Sequence, residues 1–244
     1  MLKNNLNVLI IAFAVIVSAY LFSNAFQNRN KSNDTISVTG LGKKDFVSDL
    51  IVWSGSFSKK SLTLKEAYAA LDSDREKIKT YLSGKGIGTD EMVFSAVNFS
   101  KDFETTYNEN GTTKQQIFTE FTLTQSVSIQ SKEVNKIEEI SRQSSELINS
   151  GVEFYSNAPE YYYTKLAELK IKMIAEATKD ASTRAKSIAE NADASLGNLK
   201  KSDMGVFQIT GQNSSEDFSY GGLFNTQSKN KTANITVRLV YQVD

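Results

Sequence analysis

The side chains that could do chemistry in this chain are carboxylates, lysines, hydroxyls and tyrosines. Its 244 residues include no cysteine and no histidine. Thiolate nucleophiles, His-based triads, ordinary zinc sites and disulfides are therefore excluded. Two adjacent acidic pairs, Glu138-Glu139 and Glu216-Asp217, have the composition for acid–base work or for holding a divalent ion. Such work needs a pocket and a shifted pKa. Glu138 and Glu139 are neighbours on a helix and point apart, and Glu216-Asp217 lies in loop-like sequence, so both pairs read as solvated surface. Gly40-Leu41-Gly42-Lys43-Lys44 has the look of a phosphate loop. It sits between two strands rather than between a strand and a helix N-terminus, so it reads as a hairpin turn. The chain is expected not to be an enzyme and to need no cofactor or metal.

Residues suited to binding are easier to find. Tyr161-Tyr162-Tyr163 is either an aromatic platform or the apolar entry to a helix. Phe218, Tyr220, Leu223 and Phe224 stand in the otherwise polar stretch 211–230, where apolar side chains often await a partner or a second subunit. These seven residues are the candidate contacts. Lys+Arg and Asp+Glu both number 28, so there is no bulk electrostatic footprint for nucleic acid.

Leu6–Phe26 (LNVLIIAFAVIVSAYLFSNAF) carries no charge and no proline. As a helix it would be roughly 31 Å long, close to the ~30 Å hydrocarbon core of a bilayer. Residues 1–30 therefore read as a transmembrane signal-anchor or as a cleaved signal peptide with Lys3 as its basic start and Ser23-Asn24-Ala25 as its cleavage site. Arg29 and Lys31 balance Lys3, so the positive-inside rule is nearly tied; a large following domain translocates largely regardless of charge. The domain is expected outside the cytoplasm, tethered to the cytoplasmic membrane through residues 6–26, or released into the periplasm or secreted after cleavage.

Beyond a polar linker at 27–34, the pattern predicts strands at 36–39 and 46–57, with Gly40 and Gly42 bracketing a turn between them. A helix over 63–83 opens with a Thr63/Glu66 capping box. Further strands are predicted at 92–99, around 120–129, at 152–156, over 199–210 and over 233–243, with Asn110-Gly111 as a hairpin signal. Helices are predicted at 133–149 and 164–191, and 211–230 reads as a mobile loop. The fold class is α+β, a mixed or antiparallel sheet with packed helices in the order ββαββ-αβαββ, with possible halves 34–130 and 131–243. Ala177, Ala181, Ala185 and Ala189 fall four apart on the longest helix, a stripe suited to close packing within the chain or to a helix–helix contact between subunits.

Three segments in order carry a family resemblance: Ile36-Ser37-Val38-Thr39-Gly40 after the export-type leader; Ala177-x3-Asp180-Ala181-x2-Arg184-Ala185-x2-Ile188-Ala189 followed by Leu196-Gly197; and a final strand ending Val240-Tyr241-Gln242-Val243. Together they resemble the SIMPL-domain family of bacterial envelope proteins, which includes periplasmic immunogenic antigens, over roughly 34–243. The resemblance implies an α+β domain of the periplasm or cell surface, often self-associating, with a loose link to envelope or oxidative stress. It brings no catalytic set. The expectation is a non-enzymatic envelope protein that forms a homo-oligomer or binds an envelope partner; the alternative is a carbohydrate- or lipid-binding module using exposed tyrosines.

Overall fold

The computed structural model describes residues 2–31, 34–111 and 113–243, and within the first helix the side chains of 10–23, 25 and 26 only. That helix, α1, runs Leu2–Lys31 into the expected linker. Its described apolar side chains, among them Ile10, Phe13, Ile16, Leu21 and Phe22, are exposed. Among the described residues no helix is long and apolar enough to cross a membrane. The span expected over 6–26 lies partly outside them, at residues 6–9 and 24.

The remainder is α+β, with two antiparallel sheets. In the first, β1 (Thr35–Val47) pairs with the last strand, β10 (Asn230–Val243), whose other edge carries β8 (Leu196–Met204) and β9 (Gln208–Gly211). The long helix α4 (Leu166–Asn191) covers one face. In the second, β2 (Leu50–Ser61) pairs with β5 (Thr113–Ser131). Outside β5 lie β3 (Met92–Phe94) and β4 (Asn98–Tyr107); outside β2 lie β6 (Phe154–Ser156) and β7 (Glu160–Tyr162). Helices α2 (Leu64–Gly84) and α3 (Val134–Gln143), the latter continued by a 3-10 turn at Ser144–Ser150, pack on this sheet. Each sheet has its own apolar core. One gathers Trp53, Phe57, Leu71, Ile78, Ile129 and Ile137. The other gathers Met173, Ala177, Ala181, Ile235, Val237 and Leu239 with Val38 from the start of the domain. The cores therefore do not divide at residue 130: the chain begins in one, builds the other between residues 51 and 161, and returns.

The expected turn at Gly40 and Gly42 does not form; both lie inside β1, which runs unbroken to Val47. A Cβ on Gly40 would collide with the Ala177 carbonyl oxygen and the Ala181 amide nitrogen, and one on Gly42 would meet the Met173 carbonyl oxygen at 2.5 Å. The glycines serve close approach rather than turning. The alanine stripe is their counterpart: Ala177, Ala181, Ala185 and Ala189 are all buried within the chain. Asp180, between them, accepts a hydrogen bond from the Leu41 N–H at 2.9 Å. That amide and Arg184 hold the Asp180 carboxyl below its ordinary pKa.

Other elements differ from expectation in detail. The Thr63 hydroxyl caps α2 by accepting from the Glu66 N–H, but Glu66 reaches Ser61 Oγ rather than the Thr63 amide. Gly151 (φ 74°) ends the 3-10 turn. The strand expected over 92–99 splits into β3 and β4, that over 199–210 into β8 and β9, and β7 is additional, giving ββαβββαββαβββ after α1.

Gly40→Ala is expected to cost about 1–3 kcal/mol because helix backbone fills the space. In Gly84→Ala the new Cβ meets nothing within 4 Å, and stability should rise slightly. Denaturant unfolding followed by helical circular dichroism checks both.

Candidate functional site

The stretch 211–230 is not a free loop. Three buried polar side chains, Gln208, Asn225 and Lys231, and the more exposed Glu216 pin it. Gln208 donates from Nε2 to the Ser219 carbonyl at 2.7 Å and accepts from the Ser219 and Leu223 amides at 3.3 and 2.8 Å. Glu216 accepts from the Gly211 amide at 2.7 Å, from Ser214 Oγ at 3.0 Å and from Asn225 Nδ2. These donors, the Gly211 amide first, lower its pKa. Asn225 accepts from the Ser228 amide at 2.8 Å. Lys231, 1% exposed, donates to the Asn225 carbonyl. Burial lowers its pKa to about 8, against the opposing pull of Glu216.

This strap also joins the two sheets. The Tyr161 amide donates to the Thr226 carbonyl at 2.7 Å, and the Phe224 and Tyr162 rings lie 6.5 Å apart. Lys229 reaches Glu138 at 2.6 Å and Asn135 at 2.9 Å on α3. Two of the expected contact groups thus meet at one seam. They do not form one exposed platform, because β7 alternates its side chains. Tyr161 is buried in the core of the second sheet, where desolvation and then Glu138 raise its pKa. Tyr162 is partly buried and donates to Glu160 at 2.7 Å, and Tyr163 packs on Phe46 at 4.9 Å between ring centroids. The platform reading of the triplet is therefore not realised. Phe218 and Tyr220 remain outside, Tyr220 fully exposed, and line an open groove of about 450 Å³ with Leu41, Val206 and Thr236. Leu223 is half-buried behind them.

The carboxylates expected at the surface have structural roles. Glu138 is held between Lys229 and Arg142, which lower its pKa, Lys229 the more. Glu139 accepts from Gln143 at 3.1 Å. Among the described residues no group of three acidic side chains could hold a metal ion.

A second apolar surface escaped the sequence reading. β4 and the first half of β5 form a two-stranded arm. Its register runs from Asn98↔Thr124 to Tyr107↔Thr113, with a shift beside Phe103. On one face, Lys60 bridges Asp102 and Glu120 at 3.0 Å each. Thr122 donates to Asp102 at 2.6 Å, and these partners lower the Asp102 pKa. The other face continues the core side of β5 outward: from buried Leu123 the rings of Phe121, Phe118 and Phe103 follow at 4.8 and 6.0 Å. Phe99, Phe103 and Tyr107 are each half exposed or more. The signal was available as Phe99-x3-Phe103-x3-Tyr107 ahead of Asn110-Gly111, an aromatic at every second position of one strand face.

A family model, SIMPL, described as a protein of unknown function (DUF541), matches residues 36–241. The chain belongs to this family. No curated protein matches it.

Lys231 gives the strap a pH signature. Its folded pKa, about 8, lies below its ordinary 10.5. Between those values the unfolded chain binds the extra proton, so this residue's contribution to stability rises with pH. Subtracting the pH–stability profile of Lys231→Met from that of the native chain should show a rise from pH 8 to 10.5. A flat difference would contradict the assignment.

Proposed function

We propose that this SIMPL-family chain is a non-enzymatic cell-envelope protein, tethered by α1 outside the cytoplasm, that assembles with further copies of itself or with an envelope partner. The observation that carries the reading is the arm. Its aromatic stripe extends a core face beyond the helices of its own sheet, and Phe99 and Phe103 remain 62% and 50% exposed. Contiguous apolar surface rimmed by charge marks a contact site on soluble domains. The Lys60–Asp102–Glu120 bridge on the opposite face fixes the arm's direction, which lowers the entropy cost of docking. Phe218 and Tyr220 offer a second, smaller apolar surface. The uncharged run 6–26 and the exposed apolar side chains of α1 support the tether. A role in envelope or oxidative stress belongs to this proposal only as binding or assembly, since a chain without cysteine has no thiol to sense oxidants.

Full-length protein is expected to resist alkaline carbonate extraction from membranes and, in detergent, to scatter light as a multimer. Phe103→Ser with Phe118→Ser should reduce it to monomer with circular dichroism unchanged. Carbonate release would remove the tether; a monomeric native chain that crosslinks to no envelope protein would remove assembly.

A further inference from the structure

The seam between the sheets opens into a cleft of about 690 Å³, within the range of small-molecule sites. Its walls are the β1–β2 turn at Ser48 and Asp49, the first residues of α3, Thr164 and Lys165 before α4, and Lys229. Two helices of ten and 26 residues thus begin at one cavity. Neither N-cap residue, Glu133 or Lys165, makes a side-chain capping bond. Val134, Asn135 and Lys136 of α3 line the wall, so α3 presents its first amide N–H groups and the positive end of its dipole there; α4 contributes only the residues that lead into it, Thr164 and Lys165. The lining holds four lysines and two acids. Both acids are engaged: Asp49 accepts from the Thr164 amide and hydroxyl at 2.7 Å each, and Glu133 pairs with Lys136 at 2.8 Å. Lys229 is held by Glu138. Lys132 and Lys165 are exposed and have no ion-pair partner among the described residues.

An independent observation comes from Ser48. It is 5% exposed, lines this cleft, and its Oγ has no hydrogen-bond partner. The other buried oxygen in that condition, Asp74 Oδ2, has Lys59 Nζ at 2.9 Å, which leaves Ser48 the unpartnered polar side chain of the pair. Buried hydroxyls are ordinarily satisfied.

We propose that the cleft binds a small molecule through a phosphate group. The N-terminus of α3, two uncommitted ammonium groups and a hydroxyl supply more donors than the two oxygens of a carboxylate can use. A phosphate uses them, and the remaining volume takes the rest of a phosphate ester. The site is separate from the arm and does not depend on assembly. Because both sheets contribute walls, the ligand bridges them at the strap.

The test is calorimetric titration of full-length protein in neutral detergent with glycerol phosphate, with acetate at matched ionic strength as control. Saturable binding of glycerol phosphate alone is expected. Lys132→Gln with Lys165→Gln should weaken it about tenfold or more, as loss of charge-assisted hydrogen bonds does. Both residues are exposed, so the fold should survive. Ser48→Ala should weaken binding without lowering the melting temperature, because the hydroxyl has no partner within the chain. Absence of saturable binding, or equal binding by the double-lysine variant, would overturn the proposal. Doping the micelles with phosphatidylglycerol separates sources: competition assigns a lipid headgroup to the site, and undisturbed binding assigns a soluble ester.

Discussion

The contact on which this architecture rests is between backbone and backbone. Gly40 and Gly42 remove the side chains that would hold α4 away from β1, and Ala177 and Ala181 remove those that would hold β1 away from α4. A helix so near a strand can also serve it chemically, and Asp180 does so by accepting the Leu41 amide. Larger residues at either position would lift the helix off the sheet and open a void along the core formed by Ile235, Val237 and Leu239. Because β1 is locked between α4 and β10, the two ends of the domain are fixed together. Everything from residue 50 to 162 is built as a second sheet that leaves this platform and returns to it.

That topology makes the seam the point where charge and polar bonding concentrate. Chain passes between the sheets at residues 48–49 and 162–164, and the strap that precedes β10 crosses the same place. The side chains found there are those a seam needs. Lys229 ties the strap to α3, Glu216 and Gln208 fold it on itself, and Lys231 closes it from beneath. A buried lysine is costly, and its carbonyl partner on Asn225 keeps the cost tolerable while fixing one strap conformation. The phosphate cleft is the open end of the same seam.

Much of the fold was legible in the sequence because its cues were periodic. The alanine stripe, the Thr63 cap, the Gly151 stop and the alternation of β10 each declare one local geometry, and the α+β class followed from them. Gly40 and Gly42 misled because glycine has two uses, turning and close approach; only the partner helix, some 140 residues later, selects between them. The strap misled for a related reason. Its Gly/Ser/Asn composition reads as mobile, whereas the residues that order it, Gln208, Glu216 and Lys231, are polar and gain meaning only from nonlocal partners. Of the two readings open for the tyrosine triplet, the apolar one fits its burial, because a short strand sends Tyr161 into the core; Phe218 and Tyr220 stand exposed on the strap. The arm was missed where its aromatics were divided between a strand taken to end at Phe99 and a hairpin taken to begin at Tyr107.

The arm and the strap differ in what they leave open. The strap satisfies its own polar groups, so its exposed rings are few. The arm is satisfied on one face by the Lys60–Asp102–Glu120 bridge and is left apolar on the other. A core-type face continued into solvent is the feature on which the proposed assembly rests, and the absence of native cysteine makes contact there directly readable. With Phe103→Cys as the single thiol in the full-length chain, mild oxidation in intact membranes should yield a covalent dimer in high proportion, while the same substitution at exposed Ile188 on α4 yields little. Equal crosslinking at both positions, or none at Phe103 with no envelope protein captured there instead, would contradict the arm as the assembly face.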